Sequence, residues 1–169
     1  AGGGAGAGTR RASTRGAVSR FRIVEFVPAH LPEAVDLWVE AWSRAMPVID
    51  FEARRAWLVD HLSALLGQGV AVSCAFDAKD GRMAGFIARG PSGHIDQLVV
   101  GVHAWGAGAG RILIDDAKHA SSGELHLEVN QDNLRAVRFY ERAGFSRIGA
   151  AVNPASGLAT WRYQWRRGA

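Results

Sequence analysis

Leu98-Val99-Val100-Gly101-Val102-His103-Ala104-Trp105-Gly106-Ala107-Gly108-Ala109-Gly110-Arg111-Ile112-Leu113 reads as a strand, a glycine-dense turn and a helix in direct succession, and no other stretch constrains the fold as strongly. Glycine at alternating positions lets backbone approach a ligand without side-chain clash, and the first N–H groups of the next helix have no partner within it. Those groups face an anion with the helix dipole behind them, so the segment is suited to hold a phosphate. The same spacing also fits a tight turn in which glycine only relieves crowding. The turn reads G-x-G-x-G instead of G-x-G-x-x-G and lacks the Lys-Ser/Thr ending of a nucleoside-triphosphate loop, so dinucleotide and triphosphate readings fall behind.

The remaining pattern supplies a fold class. Alternation over 20–27 predicts a strand that Pro28 breaks, and Pro32 stands where the first turn of a helix over 31–42 tolerates proline. Asp50 is placed to cap a second helix ending near residue 66, with Trp57, Leu58, Leu62, Leu65 and Leu66 as its buried stripe. Strands at 70–76 and 83–89 flank Asp77-Ala78-Lys79-Asp80-Gly81, a hairpin composition. Then come strand 94–100, helix 106–120, strand 124–129, helix 133–143 and strands 146–150 and 159–165. This order predicts an α/β chain of the mixed α+β kind. Its central, mostly antiparallel mixed sheet of six to seven strands is covered by about four helices.

A second strand-to-helix unit follows in Glu124-Leu125-His126-Leu127-Glu128-Val129-Asn130-Gln131-Asp132-Asn133-Leu134-Arg135-Ala136-Val137-Arg138-Phe139-Tyr140-Glu141-Arg142-Ala143-Gly144-Phe145. Together the two units resemble motifs A and B of the GNAT superfamily of acyl-CoA-dependent N-acetyltransferases, in its small bacterial form. The family patterns are L-x-V-x-P-x-x-[QR]-G-x-G-x-[GA] and N-x-x-A-x-x-[FL]-Y-x-x-x-G-F. Asn133, Ala136, Phe139, Tyr140, Gly144 and Phe145 stand at the family's spacing, and the resemblance covers roughly residues 22–166. It implies the GNAT fold, with strands 94–100 and 124–129 splayed apart and the pantetheine arm of acetyl-CoA in the gap. The edge formed by Leu98, Val99, Val100 and Val102 then bonds the arm, while Trp105, Gly106, Ala107, Gly108, Ala109, Gly110 and Arg111 surround the pyrophosphate. Trp105 and Val102 depart from the pattern, standing where the family has Gln or Arg and proline. Backbone N–H groups from Gly106 to Arg111 remain to carry the phosphate contact.

Acetyl transfer to an amine needs a neutral nucleophile, a stabilised oxyanion and a proton for the departing thiolate. Tyr140 is the candidate acid: its phenol is a proton donor, and it shares a helix face with Asn133, about 10.5 Å and seven residues earlier. By periodicity alone Tyr140 is a core residue, because Ala136, Phe139, Tyr140 and Ala143 form a stripe; the resemblance assigns it to the CoA sulfur. Asn133 is both a natural helix cap and the family's CoA-side asparagine. Glu128 is the leading base candidate, on the strand face opposite Leu125, Leu127 and Val129. It stands twelve residues before Tyr140, the separation found in the GNAT branch that acetylates ribosomal-protein N-termini. A solvated strand glutamate is its plainer reading. Asp96, in the central strand, is the second candidate.

The resemblance implies direct attack of a primary amine on acetyl-CoA in a ternary complex, with a small-molecule or peptide amine as acceptor. Trp42, Met46, Phe51, Trp57, Trp161 and Tyr163 are the expected acceptor wall, and the loop 153–158 is expected to close over it. A last strand at the sheet edge, carrying Trp161 and Trp165, would support a homodimer. The Trp105 and Val102 departures also suit a non-catalytic acyl-CoA-binding or protein-interaction module on the same scaffold.

Composition narrows the rest. A chain of 169 residues, 48% hydrophobic and 21% charged, suits one globular domain over 19–169. Residues 1–18, rich in Gly, Ala, Arg and Ser, read as a disordered tail or an Arg-rich presequence. Five arginines precede the first acidic residue, Glu25, and without them 15 of the 20 basic residues face 16 acidic ones, so no nucleic-acid groove is expected. Cys74 is the only cysteine and sits in an apolar run, which suits a buried hydrophobe in a reducing, cytoplasmic setting. No apolar run reaches the ~20 residues of a membrane span. The six histidines lack metal-ligand spacing, so no metal is expected.

Overall fold

The structure, a computed structural model, describes residues 19–169. The tail expected at 1–18 lies outside the described residues. Strand β1 (Phe21–Glu25) leads through a 3-10 turn at Pro28–His30 into α1 (Leu31–Ala45). Pro32 sits in the first turn of α1, and the helix runs three residues past the expected end before Met46 and Pro47 stop it. Asp50 caps as expected, but the element it starts is a 3-10 turn: its Oδ1 accepts from Ala53 N–H at 3.0 Å, and α2 (Arg55–Gly67) begins only afterwards.

Strands β2 (Ala71–Asp77), β3 (Met83–Arg89) and β4 (Ile95–Val100) extend β1 into one antiparallel sheet in the order β1-β2-β3-β4. Then follow α3 (Ala109–Ala120), β5 (Glu124–Asn130), α4 (Leu134–Arg142), β6 (Ser146–Val152) and β7 (Ala159–Arg166). The last three strands form a second sheet in the order β5-β7-β6. Among the described residues there are thus seven strands and four α-helices, in the expected order.

Among the described residues the two sheets are joined by one parallel bridge, His94 to His126, where His126 N–H donates to Gly93 O at 3.0 Å. Beyond that point β4 and β5 diverge, which is the implied splay. Two apolar cores flank the sheets. One gathers Leu113 and Ile114 of α3 with Leu125, Leu127, Tyr140 and Tyr163; the other joins α1 and α2 to the opposite face through Trp38, Leu58, Leu62 and Phe86. Each fully buried leucine contributes about 1.5–3 kcal/mol, so α2 is held chiefly by Leu58 and Leu62. Its stripe is narrower than expected, because Trp57 is 50% and Leu66 40% exposed. They lie at the margins of the face that meets the sheet.

The last strand also differs from expectation. β7 lies between β5 and β6, so Trp161 and Trp165 are not on an edge and pack against the core beneath α3. The edge basis for a homodimer is removed.

Candidate active site

A cleft of about 450 Å³ opens where β4 and β5 part, between the end of α1, the glycine turn and α4. One wall comes from the backbone of β4. Gly101 N–H bonds Ala84 O at 2.9 Å, one step beyond the Gly85–Val100 and Phe86–Val99 pairs of the β3–β4 register. Bonded pairs alternate in an antiparallel ladder, so Val99 is tied to Phe86 while Leu98 and Val100 turn their N–H and C=O groups into the gap. This corrects the expected edge. Val99 lines the cleft, but its amide belongs to the β3 ladder, and Val102 opens a 3-10 turn at Val102–Ala104 that reaches the wall only through Ala104.

The turn that follows is left-handed at Gly108, whose φ of 97° is open to glycine and strained for other residues. Ile112 N–H makes the first bond of α3, to Gly108 O at 3.1 Å. The N–H groups of Ala109, Gly110 and Arg111 therefore precede the hydrogen-bond ladder at the mouth of the cleft. Trp105, Gly106, Gly108, Ala109, Gly110 and Arg111 line it, whereas Ala107 packs on the core. Trp105 donates its indole N–H to Val100 O at 2.8 Å, which removes that carbonyl from any arm lying in the gap. Arg111 bonds Asp115 at 2.8 Å one helical turn on.

At the other wall, Asn133 Oδ1 accepts from Ala136 N–H at 3.2 Å and caps α4, while the residue also lines the cleft. Both readings of Asn133 are thus compatible with the geometry. Tyr140 is 8% exposed, packed against Phe139, Phe145 and Tyr163, and still reaches the cleft wall. Burial pushes its phenol well above the usual tyrosine range, so it stays protonated throughout the neutral range. A neutral phenol facing a cleft is a proton donor.

Both candidate carboxylates lie outside these walls. Glu128 is exposed, and its Oε2 accepts from Thr160 Oγ1 at 3.1 Å. Asp96 is turned away by a β-bulge, because the β3–β4 register passes from Ala88–Gln97 to Arg89–Ile95 and skips it. Its Oδ1 bonds His61 Nε2 on α2 at 2.7 Å and accepts from Gln97 Nε2 at 3.3 Å. His94 brings the two acids into one neighbourhood. Burial and nearby His126 hold its imidazole below the ordinary value, while the charges of Asp96 and Glu128 oppose that shift.

Of the expected acceptor wall, Trp42 lines the cleft, Phe51 and Tyr163 are core residues, and Trp57 stacks on His61 at 4.6 Å. Tyr163 O–H donates to Glu141 at 2.9 Å instead of facing a substrate. The loop 153–158 closes on itself, with Asn153 Oδ1 accepting from Ala155 N–H at 2.9 Å. Cys74 is buried and its thiol is pushed up to about 12 by burial, so it stays neutral. Among the described residues no group of three or more His, Cys, Asp or Glu could hold a metal, and no helix is long and apolar enough to cross a membrane. The His61–Asp96 pair, the His94–His126 bridge and an Arg135–Trp105 stack were missed from sequence. Their partners lie far apart in the chain, and the only local signal was the unusual Trp105.

Residues 66–166 match the model of the acetyltransferase (GNAT) domain. The chain is 37% identical over 109 residues to mycothiol acetyltransferase of Kineococcus radiotolerans, covering 60% of this chain but only 36% of that protein. It is 26% identical over 137 residues to the peptidyl-lysine N-acetyltransferase YiaC of Escherichia coli, covering 81% of this chain and 91% of that one. The fold matches the solution structure of apo YjaB from Escherichia coli with a TM-score of 0.70 at 23% identity, covering 88% of this chain and 99% of that one. With the glycine turn, the splayed strands and the capped α4 in one cleft, the chain belongs to the GNAT acetyltransferase family.

Proposed function

We propose that this chain transfers the acetyl group of acetyl-CoA to the primary amine of a peptide lysine, by direct attack in a ternary complex. The cleft between β4 and β5 carries this reading: unladdered N–H groups face its mouth, and a buried, protonated tyrosine forms its wall. The donor's phosphates lie against the glycine turn, and its arm runs beside Leu98 and Val100. The neutral amine adds to the thioester carbonyl, and an N–H of β4 stabilises the resulting oxyanion. Collapse breaks the C–S bond, Tyr140 gives its proton to the sulfur, and the phenol is reprotonated from solvent. Glu128 accepts the amine's proton through water, with Asp96 as the alternative acceptor.

Peptide lysine is favoured by a relative matched over 81% of this chain and 91% of its own length, a peptidyl-lysine N-acetyltransferase. The uncovered strand face with Glu128 beside Asn130 suits an extended, cationic acceptor better than an enclosed pocket would. The test is incubation with acetyl-CoA and a lysine peptide library, read by peptide mass spectrometry and thiol release. Acetyl groups on lysine Nε support the proposal. Transfer confined to peptide N-termini or small amines overturns the acceptor. Acetyl-CoA binding without turnover on any amine favours the non-catalytic module that the Trp105 and Val102 departures also suit.

A further inference from the structure

Trp105 stands where the family pattern carries Gln or Arg, and an indole brings no charge to a phosphate. Its geometry is nonetheless specific. The indole N–H is spent on Val100 O at 2.8 Å, which fixes the ring, and the Arg135 guanidinium lies 3.7 Å from the ring centroid. Arg135 is two residues past the cap of α4 and lines the same cleft as the glycine turn.

We propose that Arg135, carried on the Trp105 ring, is the cation that grips the phosphates of the acyl donor, supplying from α4 the charge that the glycine turn lacks. The inference rests on the reading of this cleft as an acyl-CoA site. Three observations carry it. Arg111 is already paired with Asp115 at 2.8 Å, whereas Arg135 has no carboxylate within ion-pair distance among the described residues. No Asp or Glu lines the cleft, which also receives Arg142, so its field favours an anion. Stacking uses only the face of the guanidinium and leaves its in-plane N–H fork free, the geometry that bonds a phosphate with two parallel hydrogen bonds. Partial burial also strips some of the cation's water, although the residue remains exposed, and holds its pKa below the usual arginine value. An oxyanion replaces that lost water.

Calorimetric titration of the full chain with acetyl-CoA and with acetyl-dephospho-CoA, which lacks the 3′-phosphate, tests the assignment on wild type, R135Q, R135K and W105L. R135Q should weaken acetyl-CoA binding about tenfold or more, with an unchanged melting temperature for the free protein. R135K should recover only part of the loss, because an ammonium keeps the charge without the fork or the stack. W105L should weaken binding several-fold by releasing the guanidinium. If the R135Q loss persists with acetyl-dephospho-CoA, the pyrophosphate is the partner; if it disappears, the 3′-phosphate is. Wild-type-like affinity of R135Q for acetyl-CoA overturns the inference alone. No binding of acetyl-CoA by wild type overturns the donor-site reading and the inference with it.

Discussion

Thr160 Oγ1 donates a hydrogen bond to Glu128 Oε2 at 3.1 Å from a position only 2% exposed, so a buried hydroxyl on β7 steers an exposed carboxylate on β5. The other oxygen, Oε1, is left to accept a proton. Such pairing orients a base without neutralising it.

Glu128→Gln should therefore lower kcat/KM by about 100-fold at neutral pH, a typical general-base contribution. The loss should grow as pH falls, where the amine is hardest to deprotonate. Thr160→Val should lower kcat a few-fold with little change in acceptor KM, because it frees the carboxylate without removing it. Steady-state profiles with a lysine peptide check both. An unchanged Glu128→Gln profile would transfer the role to Asp96 and its His61 partner.

Tyr140→Phe should reduce kcat by about 100-fold while leaving acetyl-CoA affinity near wild type. Since burial raises the phenol's pKa, Tyr140 remains an acid into the alkaline range, and the wild-type rate should show no loss near pH 9 from this group. A kcat for Tyr140→Phe equal to wild type would end its assignment as the acid.

Stability should depend on His94 in one direction. Burial, aided by His126 and opposed by Asp96 and Glu128, keeps its folded pKa below 6.5, so in acid the unfolded chain takes the proton first. The stabilising contribution is complete above pH 6.5 and is lost as pH falls from there toward the folded pKa. Melting temperatures between about pH 7.5 and pH 5 should fall less for His94→Gln than for wild type. Equal slopes would mean that other groups dominate the acid response.

Gly93→Ala should be destabilising by about 1–3 kcal/mol. Gly93 has a φ of 87°, and an added Cβ would collide with the Glu124 carbonyl at the point where the two sheets meet. Chemical denaturation gives the loss. Gly67→Ala, at a helical position where nothing lies within 4 Å, is the control and should cause no loss, with a gain of up to about 1 kcal/mol.

The local elements were legible in the sequence, as was the meeting of the glycine turn with Asn133 and Tyr140 at one cleft. Glycine spacing, proline positions and the Asn133-to-Phe145 pattern act over a few residues, so strand, turn, cap and helix were legible, and so was the element order they build. Tertiary structure decided what depends on contacts between distant segments. A single bulge turned Asp96 toward His61, and the β7 position between β5 and β6 buried Tyr163 and took Trp161 away from an edge. Arg135 found Trp105 across thirty positions for the same reason: side-chain pairing across a cleft is set by how sheets and helices pack, which no local periodicity encodes.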